Sequence, residues 1–348
     1  MPHVDVPAWA WVAFNGYVVV LLLLDLLVLN RKAHKIEWKE AAWLSAFFVI
    51  ASLAVNGVIW WVYGHGPAIT FLTAYLVEKS LSVDNLFVIA VLFGYFAVPA
   101  QYQHRVLFWG IFGAIVMRAA MILLGVALID RFHWVLYIFG AFLVLTGLRM
   151  FRETDEGEDV ADNRLLSVLR RVLPVTRSYH GPHFFLRRMG RVWVTPLFLV
   201  LLMIELTDVV FAVDSIPAIL GLTTDPFLAY SSNILAVVGL RALYFLLAGI
   251  IERVQYLHIG LAAVLVFIGG KMLAEPFLDA RGLEVPTWVS LLVIVACLGV
   301  AGAVSWVATV QERHQAALPT PPGAPPPPFG DGTSDTPPVL DRSDESRA

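Results

Sequence analysis

The sequence predicts an all-α fold: a polytopic transmembrane helical bundle of about nine spans, with two inverted three-helix repeats. Three observations predict it. Hydrophobic residues make up 59% of the 348 positions and charged residues only 15%. The charges are segregated into short segments between apolar runs of about 20 residues, the length that crosses a hydrocarbon layer roughly 30 Å thick. A set of intramembrane acids, an arginine and a Gly-x-Arg/Lys-Met segment then recurs in the same order in both halves of the chain.

The nine ranges are 9–29, 41–63, 69–97, 105–128, 133–151, 195–220, 228–250, 256–276 and 286–309. The N-terminal Met-Pro-His-Val-Asp has no basic region ahead of the first apolar run, so that run is expected to stay as a helix and not as a cleaved signal. Residues 1–68 supply two N-terminal helices, 69–151 the first repeat and 195–276 the second. Residues 277–314 hold the last span. Lys and Arg set the orientation. Arg31, Lys32, Lys35 and Lys39 follow the first span, and eight arginines from Arg152 to Arg191 crowd the segment after the fifth. The connections 63–68 and 221–227 carry neither residue. Basic segments stay in the cytoplasm, which puts the N-terminus outside and the C-terminus inside a plasma or inner membrane.

Residues 152–194 form the one sizeable soluble segment, a cytoplasmic loop. Its acidic patch (Glu153, Asp155, Glu156, Glu158, Asp159) precedes a stretch with helical periodicity, Leu165–Leu173. The later arginines read as a topology signal and headgroup contact. Residues 315–348 are Pro-rich and polar and are expected to be a disordered tail, because they cannot bury enough apolar surface to offset ordering. Net charge near neutrality gives no nucleic-acid reading. Cys297, the only cysteine, excludes an intrachain disulfide and a thiolate metal cage.

The two acidic motifs are Glu78-Lys-Ser-Leu-Ser-Val-Asp84-Asn85 and Asp208-Val-Val-Phe-Ala-Val-Asp214-Ser215, with Glu205 one turn before the second. Arg118 matches Arg241, and Gly147-Leu-Arg149-Met150 matches Gly269-Gly-Lys271-Met272, all roughly 120–130 residues apart. With the topology above, the two repeats enter the membrane from opposite sides, a recurring transporter plan. An ionised carboxylate at the bilayer centre costs roughly 2.5–3.5 kcal/mol even on a lenient scale. Five of them therefore call for something positive or protic beside them.

The side chains gathered there are hard oxygen donors: carboxylates from Glu78, Asp84, Glu205, Asp208 and Asp214, the Asn85 amide, and hydroxyls from Ser82, Thr207 and Ser215. Neither motif contains histidine or cysteine. Oxygen sets suit Mn²⁺, Ca²⁺ or Mg²⁺ better than zinc or copper. On an unbroken helix, residues six apart point roughly 120° away from each other. Glu78, Ser82 and Asn85 would share a face, but Glu78 and Asp84 would not. Bringing every acid to one ion requires a broken helix or two facing helices. Pro217, whose ring clashes with the Val213 carbonyl, marks a candidate hinge. The bland alternative pairs the acids with Lys79, Arg118, Arg241 and Lys271 as buried ion pairs. A mixture of the two has Arg118 and Arg241 holding the carboxylates when no ion is bound. Asp25 reads as a locally paired or interfacial residue, and Lys271 and Glu275, one turn apart, as a pair.

Both motifs, extended to Glu78…Asn85-Leu-Phe-Val and Glu205-Leu-Thr-Asp208…Ser215-Ile-Pro217-Ala, closely resemble those of the TerC/Alx family of integral membrane proteins, over about residues 10–310. The family is named for tellurium resistance and linked to metal homeostasis, particularly Mn²⁺ export. The resemblance implies Glu78, Asp84, Asn85, Glu205, Asp208 and Asp214 as ion-site residues.

The expectation is thus a multi-pass metal ion transporter that exports a divalent cation, Mn²⁺ favoured over Ca²⁺, with no resident cofactor and with the ion and the lipid bilayer as its partners. The alternative is a membrane scaffold in an envelope or tellurite stress-response complex, docking soluble stress-response proteins on residues 152–194. An enzyme is not expected: neither His-Glu-x-x-His nor Gly-x-Ser-x-Gly occurs.

Overall fold

The computed structural model describes residues 4–26, 38–152, 174–176, 179, 181–188, 191–247, 257–279, 281 and 286–316. Arg31, Lys32, Lys35, the acidic patch, the Leu165–Leu173 stretch and the tail beyond residue 316 lie outside the described residues. Residues up to Val307 form one compact unit, which holds everything discussed below.

The described residues form ten helices: α1 (Ala8–Leu24), α2 (Trp38–Tyr63), α3 (His65–Tyr95), α4 (Ala100–Arg131), α5 (Val135–Arg152), α6 (Pro196–Leu220), α7 (Pro226–Val238), α8 (Leu240–Leu247), α9 (Leu257–Asp279) and α10 (Thr287–Ala316). Each of the nine ranges anticipated as a span is helical over most of its described residues. The starts follow local chemistry. Gly64, at φ 88°, turns the chain into α3, a left-handed conformation that costs a glycine little. Extended Thr195 leads into Pro196 at the first position of α6. Asp225 caps α7, its carboxylate accepting from the Phe227 and Leu228 N–H groups at 3.0 and 2.9 Å, with Pro226 next in line.

Length and composition identify five of the described helices as able to cross a membrane: α2, α4, α6, α9 and α10. The bent pair α7–α8 makes a sixth. The apolar parts of α1 and α5 are shorter, and α3 has 31 residues but carries Glu78, Lys79 and Asp84 along its length.

At the centre α3 and α4 each lie against both α6 and α7. The tightest pairing is α5 with α9. These two run antiparallel along a seam of small residues. A Cβ on Gly269 would sit 2.6 Å from the Gly140 carbonyl oxygen, and one on Gly147 would sit 2.8 Å from that of Ala262. Only glycine permits so close an approach, as in other membrane helix pairs. On the other flank, α1 packs against α7 through edge-to-face contacts of Trp11 and Phe14 with Phe227. The Tyr230 hydroxyl donates to Asn15 at 2.6 Å.

Two features correct the sequence reading. The fold is not purely helical: Phe185–Arg188 (β1) and Arg191–Val194 (β2) pair as an antiparallel hairpin, with Val175 bridging Val194. The strands read Phe-Leu-Arg-Arg and Arg-Val-Trp-Val, apolar at the open end of the hairpin and basic toward its turn. Tyr179 donates to the Phe96 carbonyl at 2.7 Å, and Arg105 lies over the Phe184 ring, so this segment rests where α3 gives way to α4. The second correction concerns Pro217. It sits inside an uninterrupted α6 with only three helical residues beyond it, too few for a kink to redirect anything. The break lies instead at Gly239, where α7 and α8 meet at a 42° bend.

Candidate functional site

The acids meet where α3, α4 and α6 converge, and Arg118 stands in their midst. Its Nε donates to Asp208 Oδ2 at 3.2 Å and its Nη2 to Asp208 Oδ1 at 2.9 Å, a two-pronged grip. Its Nη1 donates to Glu78 Oε1, with Ser215 Oγ 3.5 Å away. Asn85 Nδ2 adds a 2.7 Å bond to Asp208 Oδ1. Glu78, Asn85, Arg118 and Asp208 are all at most 3% exposed. One guanidinium thus holds Glu78 and Asp208, the first acids of the two matched motifs.

Glu78, Ser82 and Asn85 are buried together, on the shared face that their spacing predicts. Each leaves one oxygen without a hydrogen-bond partner: Glu78 Oε2, Ser82 Oγ and Asn85 Oδ1. Buried polar atoms are rarely left unsatisfied, because desolvation costs about 1–3 kcal/mol per neutral group and more for a charged one. The three oxygens lie along one stripe of a single helix.

The second acids of the motifs meet as well. Asp84 and Asp214 line one small cavity of about 50 Å³ with Arg118, Met150, Phe211 and Ser215. Both are half-buried. Thr146 Oγ1 lies 3.5 Å from Asp214, and His258 of α9 is within electrostatic reach of Asp84. Glu205, half-buried and one turn before Asp208, presses its carboxylate onto Gly113 of α4, leaving no space there for a Cβ. Thr207 turns away to bond the Met203 carbonyl at 2.7 Å.

The six predicted ion-site residues therefore divide into Glu78, Asn85 and Asp208 around Arg118, Asp84 and Asp214 on the adjoining cavity, and Glu205 beside Gly113. Among the described residues no three His, Cys, Asp or Glu side chains form a ready metal cage, because the guanidinium fills the space between the first acids. The other basic residues are placed differently from the acid-pairing expectation. Arg241 bonds Asp25, the residue that ends α1, through both the carboxylate and, at 2.8 Å, its backbone carbonyl. Asp25 is thus paired with a residue distant in sequence. Lys79 donates to the Ala236 carbonyl at 3.1 Å. Lys271 interacts with Glu275 as expected. Spacing alone treated Arg118 and Arg241 alike. Gly113 went unnoticed, because only the packing of α4 on α6 gives it meaning.

An Arg-bridged pair of acids drawn from two like motifs in a helical membrane protein directs the comparison with known families. The model of the integral membrane protein TerC family matches residues 63–314. This chain belongs to the TerC family. A membrane protein of Myxococcus xanthus is 45% identical over 313 residues, covering 90% of this chain and 95% of its own. A protein of Escherichia coli K12 named "Putative membrane-bound redox modulator Alx" is 46% identical, covering 87% and 95%. A Rickettsia bellii membrane protein is 39% identical over 83% of this TerC-family chain. No solved structure matches.

Proposed function

We propose that this TerC-family protein is a secondary transporter that exports a divalent cation, Mn²⁺ in first place, from the cytoplasm across the plasma or inner membrane. The observation that carries the proposal is the stripe of unpartnered buried oxygens on Glu78, Ser82 and Asn85, where Glu78 is bonded to Arg118 and Asn85 to Asp208. A carboxylate, a hydroxyl and an amide oxygen are hard donors. The Arg118 guanidinium is the resident cation between Glu78 and Asp208, and an arriving ion takes its place there. Asp84 and Asp214, on the adjoining cavity, receive or release the ion, and Glu205 gates it.

The nine helical ranges are all spans in this proposal, with the N-terminus outside and the basic segments inside, and residues 69–151 and 195–276 are inverted repeats. Reciprocal packing supports it. The first helix of one repeat lies on the second of the other in both directions, α3 on α7 and α4 on α6. Gly140 against Gly269 has its counterpart in Gly147 against Ala262. Glu78 meets Asp208 through Arg118, and Asp84 meets Asp214 on one cavity, so matched positions sit together. Rocking of such repeats about a central site alternates access.

The redox wording in the Escherichia coli relative's name favours no intrachain thiol exchange here, since Cys297 has no second cysteine to pair with. The test is binding of MnCl₂ to the purified chain, followed by the electron paramagnetic resonance of the free ion. Wild type binds, whereas Glu78→Gln and Asn85→Leu weaken binding by about tenfold or more. Unaltered affinity in both variants overturns the assignment of the site.

A further inference from the structure

Lys79 follows Glu78 directly, yet its ammonium reaches no carboxylate in the central site. It crosses instead to the point where the α7–α8 span is broken. Nζ donates to the Ala236 carbonyl in the last turn of α7 at 3.1 Å, and a Cβ on Gly239 would stand 3.1 Å from the same nitrogen. The last carbonyls of a helix lose their partners in the following turn and carry the negative end of its dipole. Within a membrane such a break needs a protein group to satisfy it. A lysine at this spot supplies charge and hydrogen bond together. Gly239 is the residue whose missing side chain makes room for it, with Phe48 of α2 closing the other side at 3.0 Å from the same Cβ position.

Both sides of the break are anchored. Beyond it, Arg241 in the first turn of α8 is buried and held by Asp25 at the end of α1. Before it, α7 is held by Trp11, Phe14 and Asn15 of α1. The Gly239 joint lies between these anchors, and Lys79 of α3 is bonded to the Ala236 carbonyl just before it. Glu78 and Lys79 point about 100° apart on α3, the first to Arg118 of α4 and the second to the joint.

We infer that Lys79 is a positioning residue that couples the carboxylate site to the α7–α8 bend: an ion entering beside Glu78 shifts α3 and repels the neighbouring ammonium, which loosens its hold on Ala236 and changes the bend at Gly239. The inference rests on the central site being a cation site, and adds to it the element that responds. The contribution of Lys79 is the position of its charge, so arginine replaces it and methionine does not.

The experiment is hydrogen–deuterium exchange of the full chain in nanodiscs, reading peptides that cover residues 236–247, without and with MnCl₂. Binding is measured in parallel by the paramagnetic resonance of Mn²⁺. Without Mn²⁺, Lys79→Met and Gly239→Ala exchange about tenfold faster than wild type across the bend, and Lys79→Arg stays near wild type. With Mn²⁺, exchange at the bend rises in wild type and Lys79→Arg and no longer responds in Lys79→Met, although Lys79→Met still binds the ion. Unchanged exchange in ion-free Lys79→Met and Gly239→Ala overturns the hold on the joint, even if Mn²⁺ binds. Binding to wild type without a change at the bend overturns the coupling alone. No binding to wild type overturns the cation-site reading, and the coupling with it, while the ion-free comparison still reports whether Lys79 secures the break.

Discussion

Arg118 grips Asp208 with two nitrogens, Nε at 3.2 Å from Oδ2 and Nη2 at 2.9 Å from Oδ1, at a point where neither residue is more than 3% exposed. A buried ion pair of this kind is weak proof of stability, since its desolvation offsets much of its attraction. It is good proof of dependence: removing one partner strands the other. Because Glu78 shares the guanidinium, two carboxylates are stranded together when Arg118 goes.

Arg118→Met is accordingly expected to lower stability by about 3–5 kcal/mol. Thermal unfolding in detergent measures it. If Mn²⁺ takes the place of the guanidinium, saturating Mn²⁺ raises the melting temperature of Arg118→Met by more than it raises that of wild type. An equal or smaller rise separates the two cations and contradicts their competition.

Gly113 and Gly270 offer a matched pair of glycine substitutions. A Cβ at Gly113 runs into the Glu205 carboxylate, whereas one at Gly270 meets nothing within 4 Å. Gly113→Ala is expected to displace Glu205 and weaken Mn²⁺ handling with a modest stability loss of about 1–3 kcal/mol. Gly270→Ala leaves both properties within error. Parallel melting curves and Mn²⁺ binding distinguish them, and equal behaviour contradicts a role for Gly113.

The α5–α9 seam predicts a purely structural defect. A side chain at Gly269 would meet the Gly140 carbonyl oxygen at 2.6 Å and the Leu143 and Val144 side chains at 2.9 Å. Gly269→Val should separate the helices and cost more than about 3 kcal/mol, above the usual overpacking range because the nearest obstacle is backbone. Limited proteolysis and melting temperature report it. A neutral outcome shows that the seam is not close-packed.

Helix positions were legible because apolar runs and punctuating Gly, Pro and Asp residues act locally. Thr195-Pro196 and Asp225-Pro226 start α6 and α7 within a residue or two of the expected places. The stripe Glu78, Ser82 and Asn85 followed from helical spacing alone. The break did not. Pro217 is the stronger local signal, yet its position near a helix end disarms it, while the room at Gly239 is taken by Lys79 and Phe48 from α3 and α2, neighbours that only the fold supplies. The hairpin was hidden for a similar reason: Phe185 packs at a tilt against Phe198 and Thr195 donates to the His183 carbonyl, contacts that only the folded helices provide. Nor could spacing tell Arg118, which bridges the acids, from Arg241, which serves Asp25.

The most direct test of the central claim is Mn²⁺ uptake into inside-out membrane vesicles, comparing wild type with Asp84→Asn and Asp214→Asn. Both side chains are half-buried on the cavity and bear little structural load, so the near-isosteric amides should leave membrane abundance unchanged. The account predicts rapid uptake by wild type and at least about a tenfold loss in each variant, because each removes a full charge from the ion's path. Undiminished uptake in both variants, or no uptake by wild type above empty vesicles, would contradict it.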